Sequence, residues 1–358
     1  MKIAFVDLGR HYGGIEIYIL SLVKAWKKMG NKCVVLARRD SAFYHKLVQS
    51  GFSDELQPVD FDLKSIKEAK KRITDEQIDL LHMNGINSGV FVSLMNLPIK
   101  RVATVHGSAA YDRADKNVLI QKLFVWLENQ TLKKSKKIIS VSSAIKDMLV
   151  ERGIDEEKIS VIHNGIEAHV YSEKDSADTG VFKICFVGRL EKVKGCEYLI
   201  RALAQIKEKS FICDIYGDGS LKEELVTLAE ELNINDKIIF KGFSDAIRDV
   251  LEQYQVLVQP SIYEAFSLTL TEAMNAHTLV ICSDVGGMRE IISHKETGLR
   301  FQVGNVEELA ENIVWAMEHN ADVELMKEKA YIQFSKEFTE AAMHEKTFRL
   351  FERVYNEI

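Results

Sequence analysis

The sequence predicts an α/β chain of two domains, each built on a doubly wound parallel sheet, and three observations carry that expectation. A chain of 358 residues exceeds what one ordinary hydrophobic core organises. Short runs rich in Val and Ile alternate with segments whose apolar residues recur at helical spacing, the pattern of strands covered on both faces by crossover helices. The alternation stops between 168 and 180, where the polar stretch 172–179 has no periodicity and reads as a linker. Doubly wound sheets bind ligands at the carboxyl ends of their strands, so two such sheets with facing ends would enclose a cleft.

In residues 1–170 the expected strands are 2–7, 32–37, 78–82, 101–106, 137–141 and 159–163. Gly13-Gly14 follows the first strand and precedes a helix carrying Ile15, Ile17, Leu20, Leu22 and Val23. Glycine there lets a backbone approach a phosphate closely, or serves only the turn. Asp60-Phe61-Asp62 imitates the aspartate pair that holds a metal in some enzymes. It stands before a basic helix, so it reads as turn and helix-start chemistry, and no metal is implied. His106 closes the run 101–105 beside Gly107, where its ring can donate a hydrogen bond to a substrate or cap its own strand. Further on, Leu119, Ile120, Leu123, Phe124, Trp126 and Leu127 lead into Lys133, Lys134, Lys136 and Lys137. Such an amphipathic basic helix suits an anionic membrane surface, or a solvated face beside a core helix.

In residues 171–337 the expected strands are 182–187, 211–216, 237–241, 256–259 and 278–282. Gly188, Arg189 and Lys194 follow the first of these, and two cations at a strand's carboxyl end suit a diphosphate: a guanidinium offers bidentate contacts and an ammonium a point charge. Tyr216-Gly217 and Lys241-Gly242-Phe243 end the next two strands; they open space for a nucleobase on which Phe243 could stack, or are plain turn chemistry. Pro260 stops the fourth strand because proline cannot donate to a ladder, so Glu264 lies in the loop beyond it. From Leu268 the apolar spacing is helical, which puts Glu272 in the opening turns. The amides of Phe266, Ser267 and Leu268 then sit at a positive helix end suited to an anion. A carboxylate beside an anion site makes sense if Glu264 is aimed at hydroxyls, so the pairing points to a phosphorylated carbohydrate.

The balance of 46% hydrophobic and 28% charged residues is that of a globular protein. The net charge of −6 divides unevenly, +6 over residues 1–170 and −12 over the remainder. With an acidic total and no recognised motif, nucleic acid is not an expected partner. Five scattered cysteines without paired spacing read as reduced packing residues. The opening Met-Lys-Ile-Ala-Phe-Val-Asp shows no charged leader before an apolar core, and no run approaches a membrane span, so the expected location is cytoplasmic, with membrane association on that face.

Taken in order, these motifs resemble those of the retaining glycosyltransferases of family four, which have the GT-B fold of two Rossmann-like domains. Gly13-Gly14, Thr104-Val105-His106-Gly107, Val141-Ser142-Ser143 and Asn164-Gly165-Ile166 resemble first-domain motifs; Gly188-Arg189 with Lys194-Gly195, residues 264–272 and residues 283–290 resemble second-domain ones. Ala265 and Ser267 depart from the pattern, standing where the family often has glycine. The resemblance implies a metal-independent hexosyltransferase using a nucleoside diphosphate sugar, uridine preferred, and no cofactor. Its acceptor would be a glycan or lipid-linked glycan, in polysaccharide biosynthesis. Glu264 would bind the donor sugar, Glu272 the ribose, Arg189 and Lys194 the diphosphate, and His106 would face the sugar. Gly13, Gly14, Gly188, Tyr216, Gly217, Phe243, Phe266, Ser267, Leu268 and Thr269 complete the expected donor contacts. Residues 1–170 would bind acceptor and 171–337 donor, with helix 338–358 packing back on the first domain. The alternative is a noncatalytic nucleotide-sugar sensor or partner subunit on the same scaffold; a dinucleotide dehydrogenase is disfavoured because no Gly-x-Gly-x-x-Gly follows either leading strand.

Overall fold

A run such as Ile3-Ala4-Phe5-Val6 has no polar side, so it is stable as a strand only where helices cover both its faces. The computed structural model describes residues 1–10, 13–107, 117–169, 180–244 and 247–357, and it divides them into two units. The first comprises Met1–Asn164 and Glu340–Ile358; the second is Gly165–Thr339. Most of the expected linker, residues 170–179, lies outside the described residues. Residues at its near edge belong to the second unit, because the Ile166 amide donates to the Phe338 carbonyl at 2.9 Å and Ile166 bridges Thr339.

In chain order the first unit runs β1 (Ile3–Asp7), α1 (Gly14–Lys28), β2 (Cys33–Arg38), α2 (Ala42–Gln49), β3 (Leu56–Val59), α3 (Leu63–Asp75), β4 (Leu80–Asn84), α4 (Gly85–Met95), β5 (Lys100–Val105), α5 (Val118–Lys133), β6 (Lys137–Ser140), α6 (Ser143–Glu151) and β7 (Ile159–Val161). Its strands are all parallel, in the order β3-β2-β1-β4-β5-β6-β7. The last helix of the chain, Glu340–Asn356, completes this unit: Met343, Phe348, Leu350, Phe351 and Val354 join the core around Phe5 and Trp26. Phe348 meets the Trp26 ring edge-on with centroids 5.0 Å apart.

The second unit runs β8 (Phe182–Val187), α7 (Cys196–Gln205), β9 (Phe211–Tyr216), α8 (Lys222–Glu231), β10 (Ile238–Gly242), α9 (Ile247–Leu251), β11 (Val256–Gln259), α10 (Leu268–Asn275), β12 (Leu279–Ser283), α11 (Met288–Ile291), β13 (Leu299–Phe301), α12 (Val306–Glu318) and α13 (Asn320–Glu337). Its parallel sheet is ordered β10-β9-β8-β11-β12-β13. Both sheets reverse their winding beside their first strand, at β1/β4 and at β8/β11, where open α/β sheets hold ligands.

Two strands had no counterpart in the sequence reading, β3 and β13, and both are edge strands. Pro58 argues against an interior strand, yet an edge tolerates it because its missing donor leaves no inner ladder bond unmade. The strand expected at 78–82 is found at Leu80–Asn84, because Asp79 is used as a side-chain acceptor, its Oδ2 taking the Lys2 amide at 2.7 Å. Asp62 is the N-cap of α3 and accepts from the Ser65 amide at 2.7 Å, the helix-start role its sequence context indicates. Asp62→Ala is expected to destabilise the first unit by loss of this cap, read as a lower urea midpoint with an unchanged slope.

Candidate functional site

The loops that leave β8 and β11 carry the candidate site residues of the second unit, and glycines let them interlock backbone to backbone. Gly195 has φ +64°, and a Cβ there would stand 2.1 Å from the Pro260 carbonyl oxygen. Gly217, φ +132°, would place one 1.8 Å from the Gly188 carbonyl oxygen. Hydrogen bonds follow the same seams: Gly188 N to Tyr216 O at 3.0 Å, Leu190 N to Asp218 O at 2.9 Å, and Ile262 N to Val193 O at 2.8 Å. The loop after β12 fixes Glu264 in turn, for the Gly287 amide donates to the Glu264 carbonyl at 3.0 Å and a Cβ on Gly286 would lie 2.1 Å from that oxygen. Glu264 therefore stands on a backbone clamped from two neighbouring loops.

Of the expected residues, the structure brings Lys194 and Glu264 together. The Lys194 ammonium donates to Glu264 Oε2 at 2.7 Å, with both side chains largely enclosed. Arg189 is exposed on the loop after β8; hydrogen bonds from the Ser220 amide and hydroxyl lower the nearby Glu191 carboxyl, and the Arg189 charge adds to them. Glu272 lies one turn into α10 and is paired with a residue the sequence reading missed: Arg248 Nε donates to Glu272 Oε1 at 3.2 Å. Burial raises the Glu272 pKa and the Arg248 guanidinium opposes that rise. Phe266 and Ser267 are buried, while Leu268 and Thr269 are half-buried at the head of α10. Ser267 is the N-cap, but its hydroxyl does not cap, so the positive end of the helix is not screened by that side chain.

Around the ends of β9 and β10, Tyr216 belongs to a hydrogen-bonded row. Its hydroxyl donates to the Tyr254 hydroxyl at 2.8 Å, Tyr254 donates to Asp214 Oδ2 at 2.6 Å, and Lys241 pairs with that oxygen at 3.3 Å. Desolvation and the Asp214 carboxylate raise the Tyr254 pKa, keeping it a donor. Phe243 follows Gly242 with 78% of its surface exposed. None of Arg248, Tyr254 and Asp214 carries a sequence motif; the signal open to inspection was an acid or hydroxyl inside an otherwise apolar strand, as in Phe211-Ile212-Cys213-Asp214.

In the first unit, Gly13 is the N-cap of α1 in extended backbone, where any residue fits, and Gly14 is the first helical residue. The Glu16 carboxylate accepts from the Gly13 amide at 2.8 Å. At nearby Gly9 a Cβ would meet the end of the Glu16 side chain, Oε1 at 2.4 Å. Asp7 is buried beside it, and desolvation followed by the Glu16 charge raises its pKa to about 7. His106 is fixed by Asn84 at the end of β4, Nε2 to Oδ1 3.2 Å, and its ring lies edge-on to Tyr18 with centroids 4.7 Å apart. Burial pushes its pKa down to about 3, so the ring is neutral and offers a hydrogen bond but no charge. All five cysteines are buried free thiols.

Comparison with known proteins gives this scaffold its class. The model described as glycosyl transferases group 1 matches residues 169–333, and that described as glycosyltransferase family 4 matches residues 12–170. The chain belongs to this glycosyltransferase family. An uncharacterized glycosyltransferase of Methanocaldococcus jannaschii is 34% identical over 49% of this chain and 49% of its own length. The N-acetylgalactosamine-N,N'-diacetylbacillosaminyl-diphospho-undecaprenol 4-alpha-N-acetylgalactosaminyltransferase of Campylobacter jejuni is 28% identical over 62% of this chain and 61% of its own. The chain thus spans between about half and three fifths of these two relatives. Anabaena Alr3699/HepE, solved in complex with UDP, superimposes with a TM-score of 0.88 at 19% identity, covering 99% of this chain and all of that one, and so shares the GT-B fold.

Proposed function

We propose that this chain transfers a hexosyl or N-acetylhexosaminyl unit from a nucleoside diphosphate sugar, uridine preferred, to a glycan or lipid-linked glycan with retention of anomeric configuration, without a metal. The observation that carries the reading is the Lys194–Glu264 pair, held at 2.7 Å at the switch point of the second sheet on loops locked by close glycine contacts. A diphosphate arriving beside Lys194 competes with Glu264 for the ammonium, which frees the carboxylate to accept hydrogen bonds from sugar hydroxyls. Arg189 and the head of α10 add positive potential for the phosphates, and Glu272 accepts from the ribose. Charged hydrogen bonds from Arg189 and Lys194 that strengthen on the leaving phosphate are worth roughly 3–6 kcal/mol together, a rate factor of about 10² to 10⁴. The bond between the anomeric carbon and the diphosphate oxygen breaks, the acceptor oxygen bonds to the same face, and its proton passes to the leaving phosphate oxygen, so no side-chain base is required.

The undecaprenol-linked acceptor in the name of the Campylobacter relative supports a lipid-linked acceptor here, and UDP in the Anabaena structure supports uridine. A lipid-linked acceptor fits a role in cell-surface polysaccharide synthesis as part of this proposal, and favours work at the cytoplasmic membrane face through the basic first unit. Among the described residues no helix is long and apolar enough to cross a membrane. The reading is tested by incubating the protein with uridine and guanosine diphosphate sugars and following nucleoside diphosphate release. Release from one donor names the sugar; binding without release, even with lipid-linked acceptors present, overturns catalysis in favour of a sensor.

Arg248→Gln gives a pH test of the ribose site. Burial already raises the Glu272 pKa, and removing the opposing guanidinium raises it further. The carboxylate must be ionised to accept two hydroxyl donors, so the acid limb of UDP affinity is expected to move to higher pH, with affinity lost first on the acid side and restored in alkali. Calorimetric titration of UDP across pH checks this; an unshifted limb would remove Glu272 from the ribose role.

A further inference from the structure

Helix α5 turns an apolar stripe outward. Leu119, Leu123 and Trp126, at i, i+4 and i+7, are 74%, 53% and 56% exposed, and Ile120 beside them is 44% exposed. Side chains at these spacings share one face of a helix. The opposite side is anchored: Leu132 is buried, and a Cβ on Gly89 of α4 would meet Thr131 at 2.7 Å, so the two helices pack in close contact there. At 100° per residue, Lys122 and Lys133 fall along one border of the stripe and Lys134 along the other, all exposed. The single carboxylate of α5, Glu128, is turned inward and held by Arg152 at 2.8 Å. An apolar stripe edged by cations and free of exposed carboxylates is a shape soluble surfaces rarely carry without use. The lysines of α3 differ, since Lys64 and Lys71 pair with Glu68 and Asp75 on their own helix.

We infer that this face of α5 docks the protein on an anionic phospholipid bilayer, with Leu119, Leu123 and Trp126 entering the interface and Lys122, Lys133 and Lys134 meeting the headgroups. Charge decides the occupant: the stripe's border is cationic and its exposed face bears no anion, which complements a negatively charged lipid surface. The inference rests on the membrane-facing part of the reading above and gives that contact its residues.

Flotation with vesicles of phosphatidylcholine alone and of phosphatidylcholine mixed with phosphatidylglycerol tests it. The wild type is expected to float only with the anionic vesicles, while Trp126 emission shifts to the blue, a shift absent in Trp126→Phe. Leu119→Ser combined with Leu123→Ser is expected to weaken binding roughly tenfold or more, and each Lys→Ser at 122, 133 or 134 about fivefold, with steep salt dependence. Circular dichroism and nucleoside diphosphate release from soluble donor are expected to be unchanged in these variants. Vesicle binding that ignores the substitutions overturns the proposal, as does a wild-type dimer that Leu119→Ser with Leu123→Ser converts to monomer, because the stripe would then cover a second copy. Donor turnover without vesicle binding sinks the docking face alone; vesicle binding without turnover on any donor sinks the transferase reading and leaves the face standing.

Discussion

Glu264→Ala is expected to lower sugar transfer about a thousandfold while leaving UDP affinity within a few-fold of wild type, a loss of about 4 kcal/mol of transition-state stabilisation. The carboxylate is proposed to hold the donor sugar through hydroxyls whose hydrogen bonds to a charged acceptor tighten as the anomeric carbon becomes electron-poor. Its backbone is pinned by the Gly287 amide and by the close approach of Gly286, so the side chain starts in place and little ordering remains to be done on binding. Removing it leaves Lys194 without its 2.7 Å partner, yet that ammonium keeps some solvent access, so the fold should not suffer. The ammonium is then free at all times for the diphosphate it is proposed to bind, which is why nucleotide binding should hold or improve even as turnover collapses. Single-turnover transfer with the donor identified by the release screen, run beside UDP calorimetry, separates the two quantities. Full activity in Glu264→Ala would remove the proposed sugar-binding carboxylate; parallel loss of activity and UDP affinity would make Glu264 a nucleotide anchor instead.

Strand boundaries were sharpest for interior strands, although the edge strands β7 and β10 were also anticipated, at 159–163 and 237–241. β8, β9 and β11 fall at the boundaries their apolar runs indicate, because an interior parallel strand has no polar face and its ends are marked where polarity returns. Edge strands lack that pressure on both faces, which is why Leu56–Val59, with its proline, and the three-residue Leu299–Phe301 left no readable pattern. At the site, Glu264 and Lys194 could be named from strand ends and charge, since both follow a strand on the ligand side of a sheet. Their contact could not: residues 70 positions apart meet only through the β8–β11 adjacency, which is a property of topology. Arg248 is harder still, because α9 is one turn of helix with no period to read, and its value lies wholly in facing Glu272. Glycines show the same limit. Gly13-Gly14 stands out in the sequence, yet a Cβ on Gly13 would meet nothing closer than 3.8 Å, whereas Gly195 and Gly217, whose motifs say nothing of their neighbours, are among the glycines where a side chain would strike backbone.

Gly217 and Gly242 offer a paired test of that distinction between strain and collision. Both have positive φ, +132° and +74°, so alanine is conformationally costly at either. At Gly242 a Cβ would meet nothing within 4 Å, and Gly242→Ala is expected to lose only about 1–2 kcal/mol, the cost of a left-handed residue. At Gly217 the Cβ would lie 1.8 Å from the Gly188 carbonyl oxygen, which belongs to backbone and has no rotamer to escape into. The loops after β8 and β9 must therefore part by more than an ångström, stretching the Gly188 N to Tyr216 O bond at 3.0 Å and the Gly217 N to Gly242 O bond at 2.8 Å. Adding that disruption to the strain gives about 3–5 kcal/mol for Gly217→Ala, or roughly 6–20 °C in the melting temperature of the second unit at 2–4 °C per kcal/mol. Function should fall further than stability. Gly188 heads the loop that carries Arg189 and Lys194, so displacing it moves both cations from the proposed phosphate site, and UDP affinity is expected to drop at temperatures where the variant is fully folded. Equal melting temperatures for the two variants would mean that the seam between these loops is loose, and that the site's geometry is set elsewhere than by the glycine contact at its floor.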